Sequence, residues 1–377
     1  MKQKLAAVLA VLFWAGVCSA QSQTQPAVDR QKAAFDKAWK FADWYKNDKN
    51  DVIQRLQFTG RFQYEYANVD ADQRSHHEWN VRRLRAGAKA KMFRTLTLHG
   101  EIELNPQERN PFYVRFTDLY LMWSRDAKLE LTFGKQGVPF TMDGSTSSKE
   151  LLTIDRSNLA NNMWFPQEYM PGVAASGEIK NWVYQAGVYS AGRANRELGE
   201  FDGGIFTLAL AGYNFAESLG VDDALLTANY VYQDPHTNNT FTRRLQHVLS
   251  GNFKLAAKRG GVRADVTTAS GYQGQSDLWG VTVMPFVNIT AKFQIVGRHT
   301  YLKSENPNGV MLATYENRAV AGRGDRYNEG YVGANYYFYG HKLKLQSGLQ
   351  FGDMNDSAND GGAYSGVSWT TGLRVSW

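Results

Sequence analysis

The chain contains too little cysteine and too few long apolar runs for several common classes of protein. Cys18 is the single cysteine among 377 residues, which argues against the small secreted domains that disulfides hold together. Beyond the N-terminus, no segment reaches the about 20 consecutive apolar residues that a membrane-spanning helix requires. Neither a disulfide scaffold nor a helical membrane protein fits the sequence.

Aromatic residues and glycine are abundant instead. The sequence has 20 Tyr, 20 Phe, 10 Trp and 35 Gly but only 9 Pro, a balance typical of long antiparallel sheets. The formal net charge of +6 does not by itself distinguish nucleic acid, anionic solutes and lipid as partners. Composition indicates a sheet protein and leaves its ligand open.

The N-terminus has the pattern of a secretory signal. Two lysines precede an apolar run from Leu5 to Val17, and small residues follow at positions 18–20. This arrangement predicts a signal peptide over residues 1–20, with Gln21 as the first mature residue. Lipidation of Cys18 is an alternative that the residues before it disfavour.

Residues 21–54 differ from the rest of the chain. Apolar residues recur there at helical spacing between lysines and aspartates, namely Phe35, Ala38, Trp39, Ala42 and Tyr45. The period predicts a short periplasmic helix. A contact within a trimer and a partial plug are alternative roles for this segment.

From residue 55 the period changes to two and remains so to the end. In one segment the apolar face comprises Leu84, Ala86, Ala88, Ala90 and Met92, and the basic face comprises Arg83, Arg85, Lys89 and Lys91. Such alternation is required where one face of a strand meets lipid and the other meets water. We therefore predict an all-β fold, a transmembrane antiparallel β-barrel of about 16 strands over residues 55–377.

The same parity assigns an outward face to the apolar positions. The residues expected to meet lipid include Leu84, Ala86, Leu343, Leu345, Val375 and Trp377. Arg82 is expected to lie on this face too, opposite Arg83. Short turns, such as residues 179–182, alternate with longer polar links at 67–77, 190–204, 302–326 and 352–366. This is the layout of an outer-membrane barrel with periplasmic turns.

The longest segment without strand character runs from Val138 to Pro171. Its apolar residues are Leu151, Leu152, Ile154, Met163, Trp164 and Phe165. A loop of this length and composition is uncommon in solvent. We expect it to fold into the barrel and narrow the lumen.

Several blocks of sequence resemble the phosphate-selective porin O/P family. They are Asn80 to Lys91, Gly100 to Glu103, Asp118 to Leu121, and Gly134 to Phe140 leading into Thr146-Ser147-Ser148 and Arg156. The resemblance implies a trimeric porin of the Gram-negative outer membrane, with an inward arginine ladder and lysines near a constriction loop that pass anions. The chain departs from this pattern at Gly137, where the resemblance implies a lysine.

Charge on the inward face agrees with this resemblance in sign. The inward basic residues by parity are Arg61, Arg83, Arg85, Lys89, Lys91, Arg244, Lys254, Arg263, Arg298, Lys342, Lys344 and Arg374. The inward acidic residues are Glu65, Glu101, Glu103, Asp118, Glu130, Glu178, Asp265 and Glu329. Basic rings in a pore lower the barrier for anions. The expected anion path is Arg83, Arg85, Lys89, Lys91, Lys135, Lys149, Arg156 and Arg298.

No motif indicates a catalytic or metal site. The sequence lacks a Gly-x-Ser-x-Gly motif, a P-loop and a paired-histidine zinc motif. His76 and His77 with Glu78, and the acidic residues at 353–360, are expected to be surface groups rather than metal ligands. We therefore expect no enzyme activity, no cofactor and no metal.

The predicted function is passive diffusion of small anions, with phosphate or polyphosphate as candidate solutes. Expected partners are outer-membrane lipid, two further copies in a homotrimer, and the barrel assembly machinery through Trp377; no nucleic-acid partner is expected. A porin without anion selectivity and a barrel that displays binding or adhesion loops are the alternatives.

Overall fold

The computed structural model describes residues 25–108, 110–163, 169–191, 203–236 and 242–377. The predicted signal peptide at 1–20 lies outside the described residues, as do Trp164 and Phe165. The chain divides into two compact units, Met1–Asp43 and Trp44–Trp377.

The first unit contains helix α1 (Gln25–Trp39) and a single 3-10 turn (Lys40–Ala42). The rings of Phe35 and Trp39, one helical turn apart, meet edge to face at 5.9 Å. The predicted short helix is present and ends at Trp39, where the 3-10 turn begins. No helix in the described part of the chain is long and apolar enough to cross a membrane.

The second unit is built almost entirely from strands. A short strand, β1 (Asp43–Lys46), pairs with β2. The strands that follow are β2 (Ile53–Ala71), β3 (Ser75–Met92), β4 (Leu96–Leu104), β5 (Tyr113–Asp126), β6 (Leu129–Gly137), β7 (Tyr169–Ile179), β8 (Trp182–Ser190), β9 (Ile205–Asn214) and β10 (Asp223–Gln233). Next come β11 (Leu245–Ala257), β12 (Gly260–Gly271), β13 (Leu278–Asn288), β14 (Phe293–Ser304), β15 (Val310–Met311), β16 (Arg323–Gly324), β17 (Arg326–Tyr339), β18 (Leu343–Asn355) and β19 (Tyr364–Ser376).

Sixteen of these strands close into an antiparallel barrel, as predicted. Each long strand pairs with the next, and the last strand, β19, pairs with β2, which places Val375 opposite Phe62. The two-residue strands β15 and β16 form a separate hairpin within one loop. Closure leaves no unpaired edge among the sixteen, which a sheet in lipid requires.

Alternation along the strands separates an apolar exterior from a polar interior. Leu345 on β18 is 43% exposed, whereas its neighbours Lys344 and Gln346 are 0% and 1% exposed. The expected outward parity of Leu343, Leu345 and Val375 follows the same register. The barrel therefore carries its polar side chains inside, which the period-two pattern predicted.

Connections at the two ends of the barrel differ in length. At the turn end, β3–β4, β5–β6, β7–β8 and β11–β12 are joined by two or three residues. A longer turn between β9 and β10 includes helix α4 (Ala216–Leu219). At the opposite, loop end, the expected long link at 67–77 is wrong, because β2 and β3 extend over most of it and leave residues 72–74 as the loop.

Two loops from the loop end pack inside the barrel. The loop that follows β6, described over residues 138–163 and called L3 below, contains helices α2 (Met142–Ser145) and α3 (Asn158–Met163). The loop at 305–325, called L7 below, contains β15, β16 and helix α5 (Glu316–Ala319). Buried apolar residues of both loops share one core with the upper strands: Val138, Phe140, Leu159, Ala160, Met163, Val310, Leu312, Tyr315 and Val320. The inward folding of L3 was predicted, and that of L7 was not.

Candidate selectivity site in the lumen

L3 is fixed inside the barrel by side chains that reach its backbone. Lys344 and Gln346 of β18 donate to the carbonyl oxygen of Leu151 at 2.7 and 3.1 Å. Asn335 of β17 donates to that of Leu152 at 2.8 Å. Arg374 of β19 donates to that of Ile154 at 3.2 Å. A loop buried in this way must find partners for its polar backbone groups, and the wall supplies them.

Further bonds hold the beginning and the middle of L3. Asp265 of β12 accepts from the backbone nitrogens of Met142 and Asp143 at 2.6 and 3.1 Å. On β2, Arg61 donates to the hydroxyl of Ser148 at 2.6 Å, and Gln63 donates to the Ser148 carbonyl at 2.9 Å. We call the strands that make such bonds, β2, β3, β12, β14, β17, β18 and β19, the anchored wall.

Most arginines of the anchored wall also have carboxylate partners. Arg61 contacts Glu101 at 3.1 Å and Arg298 contacts Glu329 at 2.6 Å. Arg85 contacts Glu103 at 3.0 Å, and Arg374 pairs with Glu65. These ion pairs are almost fully buried, so their charges are largely compensated inside the wall. Breaking one would leave an uncompensated buried charge, which is costly.

Arg298 shows how these interactions combine. Its guanidinium donates to Glu329, to the Thr153 hydroxyl at 3.0 Å, to the Asp155 carbonyl at 2.8 Å and to Gln350 at 3.0 Å. One side chain therefore joins β14, β17, β18 and L3. The planar fork of donors on arginine suits such a role.

The residues expected to form the anion path are in unequal environments. Arg83, Arg85, Lys135 and Arg298 are buried, at 7%, 1%, 1% and 4% exposure. Arg83 donates to Gln63 at 3.0 Å, and Arg85 donates to the hydroxyl of Tyr169 at 2.5 Å. Lys89, Lys149 and Arg156 are half-buried, and Lys91 is exposed. These residues therefore differ widely in their access to solvent.

Arg82 does not face lipid, so its expected orientation is wrong. A register shift between β2 and β3 pairs Gln63 with Arg83 and Tyr64 with Val81, which leaves Arg82 as an extra residue. Its Nε lies 3.3 Å from Asp155 of L3. A β-bulge re-aims a side chain in this way, and strict alternation cannot anticipate it.

Lys149 lies on L3 where the loop approaches β2. Its Nζ donates to the carbonyl oxygen of Trp377 at 3.0 Å. Burial, and after it the neighbouring Arg61, lowers the pKa of Lys149 to about 8. Burial alone disfavours the charged form of a lysine, so the shift reports chiefly the loss of water around the ammonium group.

The open part of the lumen lies on the other side of L3. One cavity of about 310 Å³ lies between residues 144–148 of L3 and strands β5 to β8, and includes Asp118 and Arg156 in its lining. A second, of about 440 Å³, lies between residues 141–145 and strands β6 to β10. Ser145, Ser176 and Gln185 line both cavities, so the two adjoin. We call strands β5 to β10 the open wall.

Comparison with known proteins identifies the family. The family model described as phosphate-selective porin O and P matches residues 56–259, more than half of the chain. The chain belongs to this family. It is an outer-membrane porin, and the predicted fold, compartment and porin function are confirmed. No curated protein matches its sequence.

Solved structures show the same fold at low sequence identity. The anion-selective porin of Comamonas acidovorans matches with a TM-score of 0.59 at 10% identity, over 85% of this chain and 99% of that one. OmpF of Salmonella typhi matches with a TM-score of 0.60 at 11% identity, over 86% and 98%. The trimer form of OmpT from Vibrio cholerae matches with a TM-score of 0.55 at 14% identity, over 85% and 99%.

L7 makes a second group of hydrogen bonds to the barrel wall and to L3, which the sequence did not predict. The Tyr315 hydroxyl donates to Glu65 on β2, and Glu316 accepts from Ser368 on β19. The backbone of Met311 exchanges two hydrogen bonds with the Asn162 side chain of L3, at 2.9 and 3.0 Å. The apolar residues of L7 could have predicted that it folds inward, because a loop exposed to solvent is usually polar.

Neither the histidine pair on β3 nor the acidic loop at 353–360 is arranged as a metal site. His76 lies 3.6 Å from Glu78 near the loop end. Asp356 accepts from the backbone nitrogens of Asp360, Gly361 and Gly362 and thereby closes its own loop. Within the described ranges, no group of three or more His, Cys, Asp or Glu side chains is arranged to hold a metal ion.

Proposed function

We propose that this porin lets small anions diffuse more readily than cations. The observation that carries the proposal is the position of Lys149, a half-buried ammonium group on the loop that narrows the lumen. Lys89 and Lys91 of β3 lie on the same inward parity, closer to the turn end. Basic groups at a constriction replace part of an anion's hydration shell and lower its entry barrier.

The paired arginines contribute less to this preference than their number suggests. A guanidinium that is already bonded to a carboxylate and to backbone carbonyls has little free charge or donor capacity to offer a solute. The free energy of two unit charges in contact is ~1 kcal/mol in water and several-fold larger beside low-dielectric walls. A small number of lysines beside the narrowed lumen is therefore sufficient to bias permeation.

Strong preference for phosphate over other anions is not part of this proposal. Gly137, where the family resemblance implies a lysine, lines the 310 Å³ cavity without a side chain. The arginines suited to bidentate phosphate recognition are engaged with L3 and with carboxylates. We expect chloride and phosphate to pass by the same route.

The reversal potential across a planar bilayer with a KCl gradient tests the proposal. The wild-type porin should give an anion-selective potential, and Lys149→Gln should move it towards zero. Lys128→Gln is the matched control, because Lys128 is exposed in the turn between β5 and β6. A cation-selective or unselective wild type would contradict the proposal, as would equal effects of the two variants.

We also propose that the porin acts as a homotrimer and has no enzyme activity. The trimer form of the similar OmpT structure supports the first point, and membership in a porin family supports the second. The outward apolar side chains would then contact lipid and neighbouring protomers. Sedimentation of the detergent-solubilised protein should give the mass of three chains; a monomer mass would contradict this.

Trp377 is proposed as a contact for the barrel assembly machinery. Its ring lies 5.7 Å from that of Phe58 and directly over Gly60, where a Cβ atom would approach the indole to 2.5 Å. Trp377→Ala should lower the amount of folded, heat-modifiable porin in outer membranes and leave secretion unchanged. Equal amounts of folded porin would contradict the role.

The segment before the barrel is proposed to be processed and periplasmic. Removal of residues 1–20 would leave Gln21 first, and residues 21–54 would then precede the barrel in the periplasm. N-terminal sequencing of the porin from outer membranes should begin at Gln21. A blocked or lipidated N-terminus at Cys18 would contradict this.

A further inference from the structure

The open wall carries charges that the anchored wall does not balance. Asp118 on β5 lines the smaller cavity, and Glu130 on β6 and Glu178 on β7 line the larger one. In the part of the chain that the structure describes, none of these carboxylates forms an ion pair with a basic side chain. By contrast, Glu329 on the anchored wall and Glu103 on β4 are both paired with arginines of the anchored wall.

These free carboxylates lie along the route that a solute has available. L3 is bonded to the anchored wall, and the two adjoining cavities lie between L3 and strands β5 to β10. Glu178 is exposed, and Glu130 and Asp118 are half-buried, so all three have access to water. The charges of Glu130 and Glu178 therefore act directly on the passing solute, and that of Asp118 acts on both the solute and its protein neighbours.

Positive groups face this acidic surface from L3. Arg156 lines the same cavity as Asp118, although it also donates to the carbonyls of Asp143 and Thr146 at 3.1 and 2.8 Å. Lys149 is close enough to Asp118 for the two charges to interact. The smaller cavity thus has the positive charge of Arg156 on its L3 side and the carboxylate of Asp118 on the open wall.

We propose that Asp118, Glu130 and Glu178 are selectivity determinants that favour small zwitterions, solutes with an ammonium group beside an anionic group. This inference rests on the proposed anion preference and names a narrower class of solute. A simple anion is attracted by L3 and repelled by the open wall. A zwitterion can place each of its charges beside the opposite charge, and it gains on both sides of the passage.

Swelling of liposomes that contain the full-length porin tests this assignment. The probes are glycine as the zwitterion, acetate as an anion of similar size, and glycerol as a neutral solute. The variants are the double substitution Glu130→Gln with Glu178→Gln, and Glu217→Gln as the control. Glu217 is an exposed acid on α4 at the turn end and lines neither cavity.

In the wild type, glycine should enter severalfold faster than glycerol. The double variant should lose most of this advantage, and its acetate rate should rise severalfold relative to glycerol. Glu217→Gln should behave as the wild type. Unchanged ratios in the double variant would overturn the inference, as would an equal change in the Glu217 control.

A separate readout distinguishes this inference from the proposed function. The reversal potential in a KCl gradient should become more anion-selective in the double variant. If the wild type shows no anion preference, the proposed function fails, and the glycine-to-glycerol ratio still decides whether the open wall selects zwitterions.

Discussion

The anchored wall and the open wall both carry charged side chains on their inward faces, but these side chains have different surroundings. On the anchored wall, Arg298 and Arg85 are buried and bonded to carboxylates. On the open wall, Glu130 and Glu178 contact solvent and have no basic partner among the described residues. L3 is the cause of the difference, because it covers one wall and leaves the other exposed.

This difference separates charge that stabilises the porin from charge that can select solutes. The opposite charges of a buried ion pair largely cancel, so a solute experiences little of their electric field. Substitution of one partner leaves a buried charge without its counter-charge and destabilises the fold. An exposed, unpaired group contributes little to stability but acts directly on the passing ion. Substitutions on the two walls should consequently affect different measurements.

The largest expected effect is that of Arg298→Met. The variant leaves Glu329 buried without its cation and removes two bonds to L3, so the free energy of unfolding should fall by about 3–5 kcal/mol. Single-channel conductance should rise as L3 loosens. Denaturant titration of the porin in lipid vesicles gives the first quantity.

The double variant Arg298→Met with Glu329→Gln is the control for this prediction. It removes both charges and should recover part of the lost free energy. An equal loss in the single and double variants would mean that the ion pair is not responsible.

Tyr315→Phe should have a smaller effect, on L7. Its hydroxyl donates to the buried carboxylate of Glu65, and a hydrogen bond to a charged group contributes about 1.5–3 kcal/mol. The free energy of unfolding should fall by that amount. Tyr184→Phe is the matched control: its hydroxyl donates to the carbonyl of Lys128 at 2.6 Å in an exposed turn, and its loss should be smaller.

Anion preference should depend on pH through Lys149. Because its pKa is lowered to about 8, the ammonium group loses its proton as the pH rises through that value, and the positive charge disappears. The reversal potential in a KCl gradient should become less anion-selective between about pH 7 and pH 9. Lys149→Gln should remove this step, and persistence of the step in the variant would assign it to another group.

The smallest expected effect is that of Glu130→Gln on stability. Since the carboxylate is accessible and unpaired, the free energy of unfolding should change by no more than about 0.5 kcal/mol. Glu329→Gln, the buried counterpart on β17, should be clearly destabilising in the same denaturant titration. Similar losses in both variants would remove the distinction between the walls.

Much of the architecture followed from local patterns. The alternation of polar and apolar residues along the strands predicted that Lys344 and Asp265 point inward and Leu345 outward. A strand between water and lipid must alternate in this way. The apolar content of L3 predicted that the loop folds inward, and its buried Leu151 and Ile154 confirm this. The lumen residues Glu130 and Glu178 were assigned inward by the same rule.

Other features depended on contacts between distant parts of the chain. Arg82 turns inward because of a bulge against β2, which local alternation does not encode. The helical pattern continued past Trp39, but the helix ends there, and residues 43–46 instead form strand β1, which pairs with β2. The inward path of L7 required Glu65 and Asn162 as partners, residues far away in sequence.

The sequence by itself determined a barrel with a charged interior, since alternation and turn spacing are local properties of the chain. Only the tertiary structure decided which of those charges remain available to a solute. Ion pairing and coverage by L3 depend on side chains from separate strands and loops that meet only after the barrel closes. Arg85 and Glu130 share the inward parity, and their surroundings in the closed barrel give one a structural role and leave the other free to act on solutes.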